Sequence, residues 1–80
     1  MTNNKIQEKI ITSIAKTINI NKKKIKLDTG PGDIQEWDSL GNQRILNKLE
    51  IDFKVKFGID EIIEMESVED IVKILSKKSK

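Results

Sequence analysis

Isoleucine returns every fourth residue at the head of the chain, at Ile6, Ile10, Ile14 and Ile18, with Ile11 beside them. That spacing follows the 3.6-residue turn of a helix and not the two-residue repeat of a strand, so it predicts a helix over about residues 4–18 with one apolar stripe. A helix striped in this way must bury its stripe against another element, so the rest of the chain has to supply one.

Two later segments do. Ile45, Leu46, Leu49 and Phe53 gather on one arc of a helix over about residues 39–53, while Leu40, Arg44 and Lys48 lie on the opposite arc. "FKVKFG" alternates like a strand, but no second strand signal exists to pair with it. Val55 and Phe57 are therefore expected to end helix two and turn into the core, with Gly58 closing the turn. "IDEIIEME" predicts a short third helix with Asp60 as N-cap and with Ile62, Ile63 and Met65 to bury. In "SVED", Ser67 caps a last helix, with Glu69 and Asp70 in its first turn and Lys77 and Lys78 at its end. Val68, Ile71, Val72 and Leu75 face inward, and residues 76–80 form a frayed basic tail.

The expected fold is all-α: a bundle of three longer helices and one short one, with a long loop between helices one and two. Its core should include Ile10, Ile14, Leu46, Leu49, Phe53, Ile71 and Leu75. The loop spans Asn19 to Trp37, and "DTGPGD" concentrates Gly30, Pro31 and Gly32 where neither helix nor strand propagates. Loops of that length are uncommon in small domains and tend to serve a function, which draws attention to the residues that follow.

Eighty residues make one domain with a single small core and little room for an enclosed active site. With no cysteine, stability must come from packing. The polar start "MTNNKIQEK" and the lack of a long apolar run lead to the expectation of a soluble, cytoplasmic, monomeric protein. The net charge of +2 hides a segmented surface: residues 1–26 carry seven Lys against Glu8, and residues 59–72 carry six acids.

No His, Cys or Tyr is present, so an enzyme would have to work with Ser, Lys, Asp and Glu alone. A Ser39–Lys48 dyad fails, because nine helical residues separate the two by roughly 13 Å. No catalytic residue is assigned. The acids of "DTGPGD" lack the spacing of a calcium loop, and no metal site is expected. "NKKKIK" is short, has no aromatic to stack on bases and runs at once into acids; it reads as a solvated loop, and nucleic acid is not the expected partner.

Ser39, in "EWDSLGNQR", opens helix two. As an N-cap, its side-chain oxygen would accept the backbone N–H of Asn42. The same position also suits a phosphate ester, because the unpaired N–H groups and positive dipole end of a helix favour an anion. "DSL" at Asp38 to Leu40, after the long loop and before "ILNKLEIDFKVKFG", resembles the acyl carrier proteins and related phosphopantetheine-binding carriers. The likeness extends from the isoleucine-striped first helix to "MESVEDIVKIL" in the last.

The resemblance implies a four-helix carrier in which Ser39 bears 4'-phosphopantetheine from coenzyme A, whose terminal thiol holds acyl or aminoacyl groups as thioesters. It further implies that Asp38 helps present Ser39 to a phosphopantetheinyl transferase and that Leu40 lies where loading and acceptor enzymes dock. Arg44 stands where that family commonly has an acid, and Asn47 and Lys48 where it often has small or apolar residues. The departure points to a dedicated carrier for a specialised pathway, docking through Leu40, Arg44 and Lys48 onto a partner with acidic or neutral groups. The tryptophan in "WDSLG" resembles carriers of polyketide, peptide or cell-surface sugar systems and, structurally, anchors the loop. The alternative reading is an unmodified helical module that binds a protein or nucleic acid through its basic segments.

Overall fold

A computed structural model describes residues 2–78, with side chains from residue 5 onward. Four α-helices make up the described chain: α1 Thr2–Ile18, α2 Ser39–Phe53, α3 Ile59–Glu64 and α4 Val68–Lys78. No strand occurs among the described residues: of "FKVKF", Phe53 ends α2, Lys54 turns the chain, and residues 55–57 run on without regular structure. No described helix is long and apolar enough to cross a membrane.

The isoleucine stripe sets the packing. Ile10, Ile14 and Ile18 are buried and meet Ile45, Leu46 and Leu49 of α2 on one side and Val68, Ile71, Val72 and Leu75 of α4 on the other, in one contiguous cluster. α1 and α2 run antiparallel: Ile18 packs beside Gly41 at one end, and Ser13 reaches Asp52 at the other. Six of the seven expected core residues are buried. Phe53 is only partly buried, because it sits at the last turn of α2, where Lys9 lies over its ring at 4.8 Å.

Both long helices stop in the same way. Asn19 (φ 58°) and Lys54 (φ 56°) adopt the left-handed conformation, and the next residue's N–H returns to the carbonyl five residues back, Ile20 to Ala15 at 3.0 Å and Val55 to Glu50 at 3.1 Å. This arrangement satisfies carbonyls that the helix end would otherwise orphan.

Several expectations need correction at element ends. α3 begins one residue before Asp60: Gly58 is its N-cap, and the Glu61 carboxylate accepts the Gly58 N–H at 2.8 Å, so Asp60 lies in the first turn as a dipole partner. A six-residue helix cannot turn every apolar residue inward, and Ile62 and Ile63 stay exposed while Met65, just beyond, is buried. The frayed tail expected from residue 76 is not found over residues 76–78, since α4 is helical through Lys78. The Lys78 Nζ pairs with Glu61 at 3.1 Å, joining the last helix to α3; residues 79 and 80 lie outside the described residues. The Gly58 N–H and the Lys78 ammonium together hold the Glu61 carboxyl below its ordinary range.

The long loop is ordered by its own bonds and contains a 3₁₀ turn, Lys22–Lys24, too short to leave a periodic signal in the sequence. The Thr29 hydroxyl accepts the Lys26 N–H at 3.0 Å, Asp33 accepts the Gly30 N–H at 2.9 Å, and the Trp37 carbonyl accepts the Gly32 N–H at 2.7 Å. The loop also clasps α4. The Thr29 carbonyl accepts the Val68 N–H at 2.8 Å and the Leu27 carbonyl accepts the Glu69 N–H at 2.9 Å, so loop backbone fills two of the orphan positions at the start of α4. Gly30 allows this approach, since a β-carbon there would overlap the Glu66 carbonyl.

Candidate functional site at the head of helix two

The site begins with Trp37, which is fully buried and donates its indole N–H to the Asn42 side-chain oxygen at 2.9 Å. Burying such a ring fixes the end of the loop; truncation to Ala would cost roughly 3–5 kcal/mol. Asn42 belongs to α2, so this bond locks the last loop residues onto the helix they introduce.

Asp38 follows in an extended conformation (φ −91°, ψ −168°) and is the N-cap: its carboxylate accepts the Gly41 N–H at 2.8 Å, and its carbonyl accepts the Asn42 N–H at 2.8 Å. This corrects the reading of Ser39 as the cap. Aspartate and serine cap comparably well, and the one positioned by the Trp37 anchor takes the role. Gly41 fits the tight first turn, since a β-carbon there would stand 2.5 Å from the Glu36 carbonyl.

Ser39 is thereby the first residue inside the helix. It is exposed, and its hydroxyl forms no hydrogen bond among the described residues. Leu40 beside it is 59% exposed. Arg44 lies one turn further on, also exposed. Asp38, Leu40 and Arg44 line a groove of about 280 Å³ between the start of α2 and the end of α1, where Thr17, Ile18 and Asn19 form the opposite wall.

Lys48 does not join them. It pairs with Asp52 at 3.4 Å and lines a separate, larger groove between α1 and the far half of α2. The expected docking trio therefore divides: Leu40 and Arg44 share the groove at the head of α2 with Asp38, and Lys48 lines the other groove.

The geometry limits the chemistry available at Ser39. The nearest acid in sequence, Asp38, already accepts the Gly41 N–H as helix cap, and no base among the described residues bonds to the serine hydroxyl. Among the described residues no three His, Cys, Asp or Glu side chains gather to hold a metal. A hydroxyl so placed can be derivatised by an enzyme that brings its own base, and a negatively charged product would meet the unpaired N–H groups of the first helical turn.

The larger groove was not foreseen. Ser13 is buried and donates its hydroxyl to the Asp52 carboxylate at 2.6 Å, Asp52 in turn draws Lys48, and Lys9 reaches the Asp52 carbonyl at 3.4 Å. The signals available were a serine beside Ile10 and Ile14 on the apolar stripe, and Lys5, Lys9 and Lys16 on one helical face. No protein-family model matches the chain, and no curated protein matches its sequence.

Proposed function

We propose that this chain is a carrier protein in which Ser39 bears a 4'-phosphopantetheine arm, whose terminal thiol holds acyl or aminoacyl groups as thioesters. The observation that carries the reading is the division of labour at the head of α2. Asp38 caps the helix, so the Ser39 hydroxyl is left exposed and unbonded at a helix N-terminus. The order of segments, which resembles that of acyl carrier proteins, supports the same assignment.

In the attachment step the Ser39 oxygen attacks the pyrophosphate of coenzyme A, forming a phosphodiester and releasing the nucleotide portion. The proton goes to a base of the transferase, because none bonds to the hydroxyl among the described residues. The new phosphodiester anion lies at the positive end of α2. Chemistry on the thioester belongs to partner enzymes, and the carrier contributes position.

Leu40 and Arg44 are the docking residues next to the arm, with Lys48 a more distant contributor. A basic face at this place fits a partner that offers acidic or neutral groups, consistent with a carrier dedicated to a specialised pathway. Arg44→Glu should therefore slow loading by the cognate enzyme at low salt, and Lys48→Glu should slow it less. The difference should shrink as salt is raised.

The decisive experiment is intact mass after incubation with coenzyme A and a promiscuous phosphopantetheinyl transferase. One added arm, located on Ser39, is the expected result. No added mass would favour an unmodified helical module that works through its basic segments.

A further inference from the structure

We propose that the groove between α1 and the C-terminal half of α2 is a second docking surface, built for an acidic helix of a partner protein. This inference stands whether or not Ser39 is modified, because it rests on different residues at the other end of the bundle.

The groove offers about 680 Å³ of space and is lined by Lys5, Lys9 and Lys16 on one wall and Lys48 on the other, with the acids Glu8 and Asp52 also present. At 100° per residue, Lys5, Lys9 and Lys16 fall within a narrow sector of α1, so three ammonium groups run along one edge over roughly 16 Å.

The two acids in the groove are already engaged. Glu8 pairs with Lys22 at 3.6 Å, and Asp52 is held between the Ser13 hydroxyl at 2.6 Å and Lys48 at 3.4 Å. Lys5 and Lys16 form no ion pair among the described residues. Positive charge in excess of its local partners therefore faces an open groove, whose floor is fixed by a buried serine. Ser13 occupies a position on the apolar stripe where a small aliphatic residue would pack at no polar cost, yet here it bonds the Asp52 carboxylate that pairs with Lys48 one turn away on α2.

The occupant follows from that arrangement. A helix bearing carboxylates at i, i+4 and i+11 would match Lys5, Lys9 and Lys16 in spacing, and its backbone would lie along the groove. A nucleic acid fits less well: Asp52 and Glu8 face its phosphates, no aromatic among the described residues lines the groove, and Phe53, next to Asp52 in sequence, has Lys9 over its ring at 4.8 Å. An anionic bilayer fits less well because the lysines line a concavity between two helices and not a convex face with apolar residues to insert.

The test is an amide-shift titration of the isotope-labelled chain at low salt with a synthetic alanine-rich helix carrying Glu at i, i+4 and i+11, beside its Gln counterpart. A short DNA duplex and phosphatidylserine vesicles serve as competing ligands. Binding of the Glu helix is expected to move amides in residues 5–16 and 48–52, to fade with added salt, and to be absent for the Gln helix. Lys5→Glu with Lys16→Glu, two exposed positions whose change leaves the core untouched, should weaken binding about tenfold, whereas Arg44→Glu should leave it unchanged. The inference is overturned if the Glu helix does not bind, if the Gln helix binds as well, if the shifts map to Leu40 and Arg44, or if DNA or vesicles occupy the groove more tightly than the Glu helix.

Discussion

Two helices of this protein start with an acid and a serine close together, and the two serines are used in opposite ways. At α4 the Ser67 hydroxyl accepts the Asp70 N–H at 3.4 Å, the Asp70 carboxylate accepts the Glu66 N–H at 3.1 Å, and loop carbonyls of Thr29 and Leu27 take the Val68 and Glu69 N–H groups. That helix start is closed, and its serine is half-buried and occupied. At α2 an acid also precedes the serine, as Glu66 precedes Ser67, but the helix starts one residue earlier: Asp38 takes the cap, and Ser39 stands exposed with no bond to its hydroxyl among the described residues. One residue of offset separates a structural serine from one available for chemistry. A serine motif at a helix start therefore acquires meaning only once the cap is assigned.

The sharpest way to break the comparison is to remove each hydroxyl. Ser39→Ala should abolish attachment of the phosphopantetheine arm while leaving the thermal midpoint nearly unchanged, because no bond among the described residues uses that hydroxyl. Ser67→Ala should leave attachment intact. An intact-mass measurement that finds an arm on the Ser39→Ala protein would remove the assignment.

A second change attacks the closed helix start from the loop side. Gly30→Ala places a methyl on the Glu66 carbonyl and forces apart the backbone bonds from Val68 and Glu69 to the loop. The expected loss is about 3 kcal/mol by chemical denaturation, at the upper end of ordinary single substitutions. Amide exchange should speed up at Val68 and Glu69 first. If those two amides keep their protection, the loop does not clasp α4 in the way described.

The caps themselves come next. Asp38→Ala should cost about 1–2 kcal/mol and Ser67→Ala about 1 kcal/mol, since Asp38 makes the shorter bond (2.8 against 3.4 Å) from a charged acceptor. Asp38→Asn retains an acceptor at the same place and should recover most of the stability. If Asp38→Asn is stable yet modified slowly, the carboxylate has a role with the transferase beyond capping.

The smallest effect concerns pH. The Glu61 carboxyl is held below its ordinary value of 4.5 by the Gly58 N–H and then by Lys78, so its contribution is present above that value and is lost as pH falls through the lowered one. Stability of the wild type should decline slightly more steeply on acidification than that of Glu61→Gln. The slopes of the two curves should differ only in the acid range, where the wild type loses the advantage it holds at neutral pH, and equal slopes there would show that the pair does not contribute.

Much of the architecture was legible in the sequence because it depends on local periodicity. The stripe of Ile10, Ile14 and Ile18, the arc of Ile45, Leu46 and Leu49, and the inward set Val68, Ile71, Val72 and Leu75 each obey the helical repeat, and all are buried. The bounds of α2 match the expectation at Ser39 and Phe53. The third helix was harder to read: six residues give too little periodicity to tell which isoleucines face in, and Ile62 and Ile63 are exposed where burial was expected. At the candidate site the sequence located Ser39, Asp38 and Leu40 but assigned the cap to the wrong one of two competent neighbours.

The sequence by itself determined a helical chain with three apolar stripes to bury and a serine at the head of the second long helix, because these features follow from spacing along the backbone. Only the tertiary structure decided which residue caps α2, since that choice rests on Trp37 entering the core and bonding Asn42. It alone separated Lys48 from Arg44, because the antiparallel packing of α1 brings Ser13 and Lys9 to Asp52, thirty-nine and forty-three residues away in sequence. Contacts across such separations leave no mark on local pattern, and they arise when the buried stripes fix how one helix lies against another.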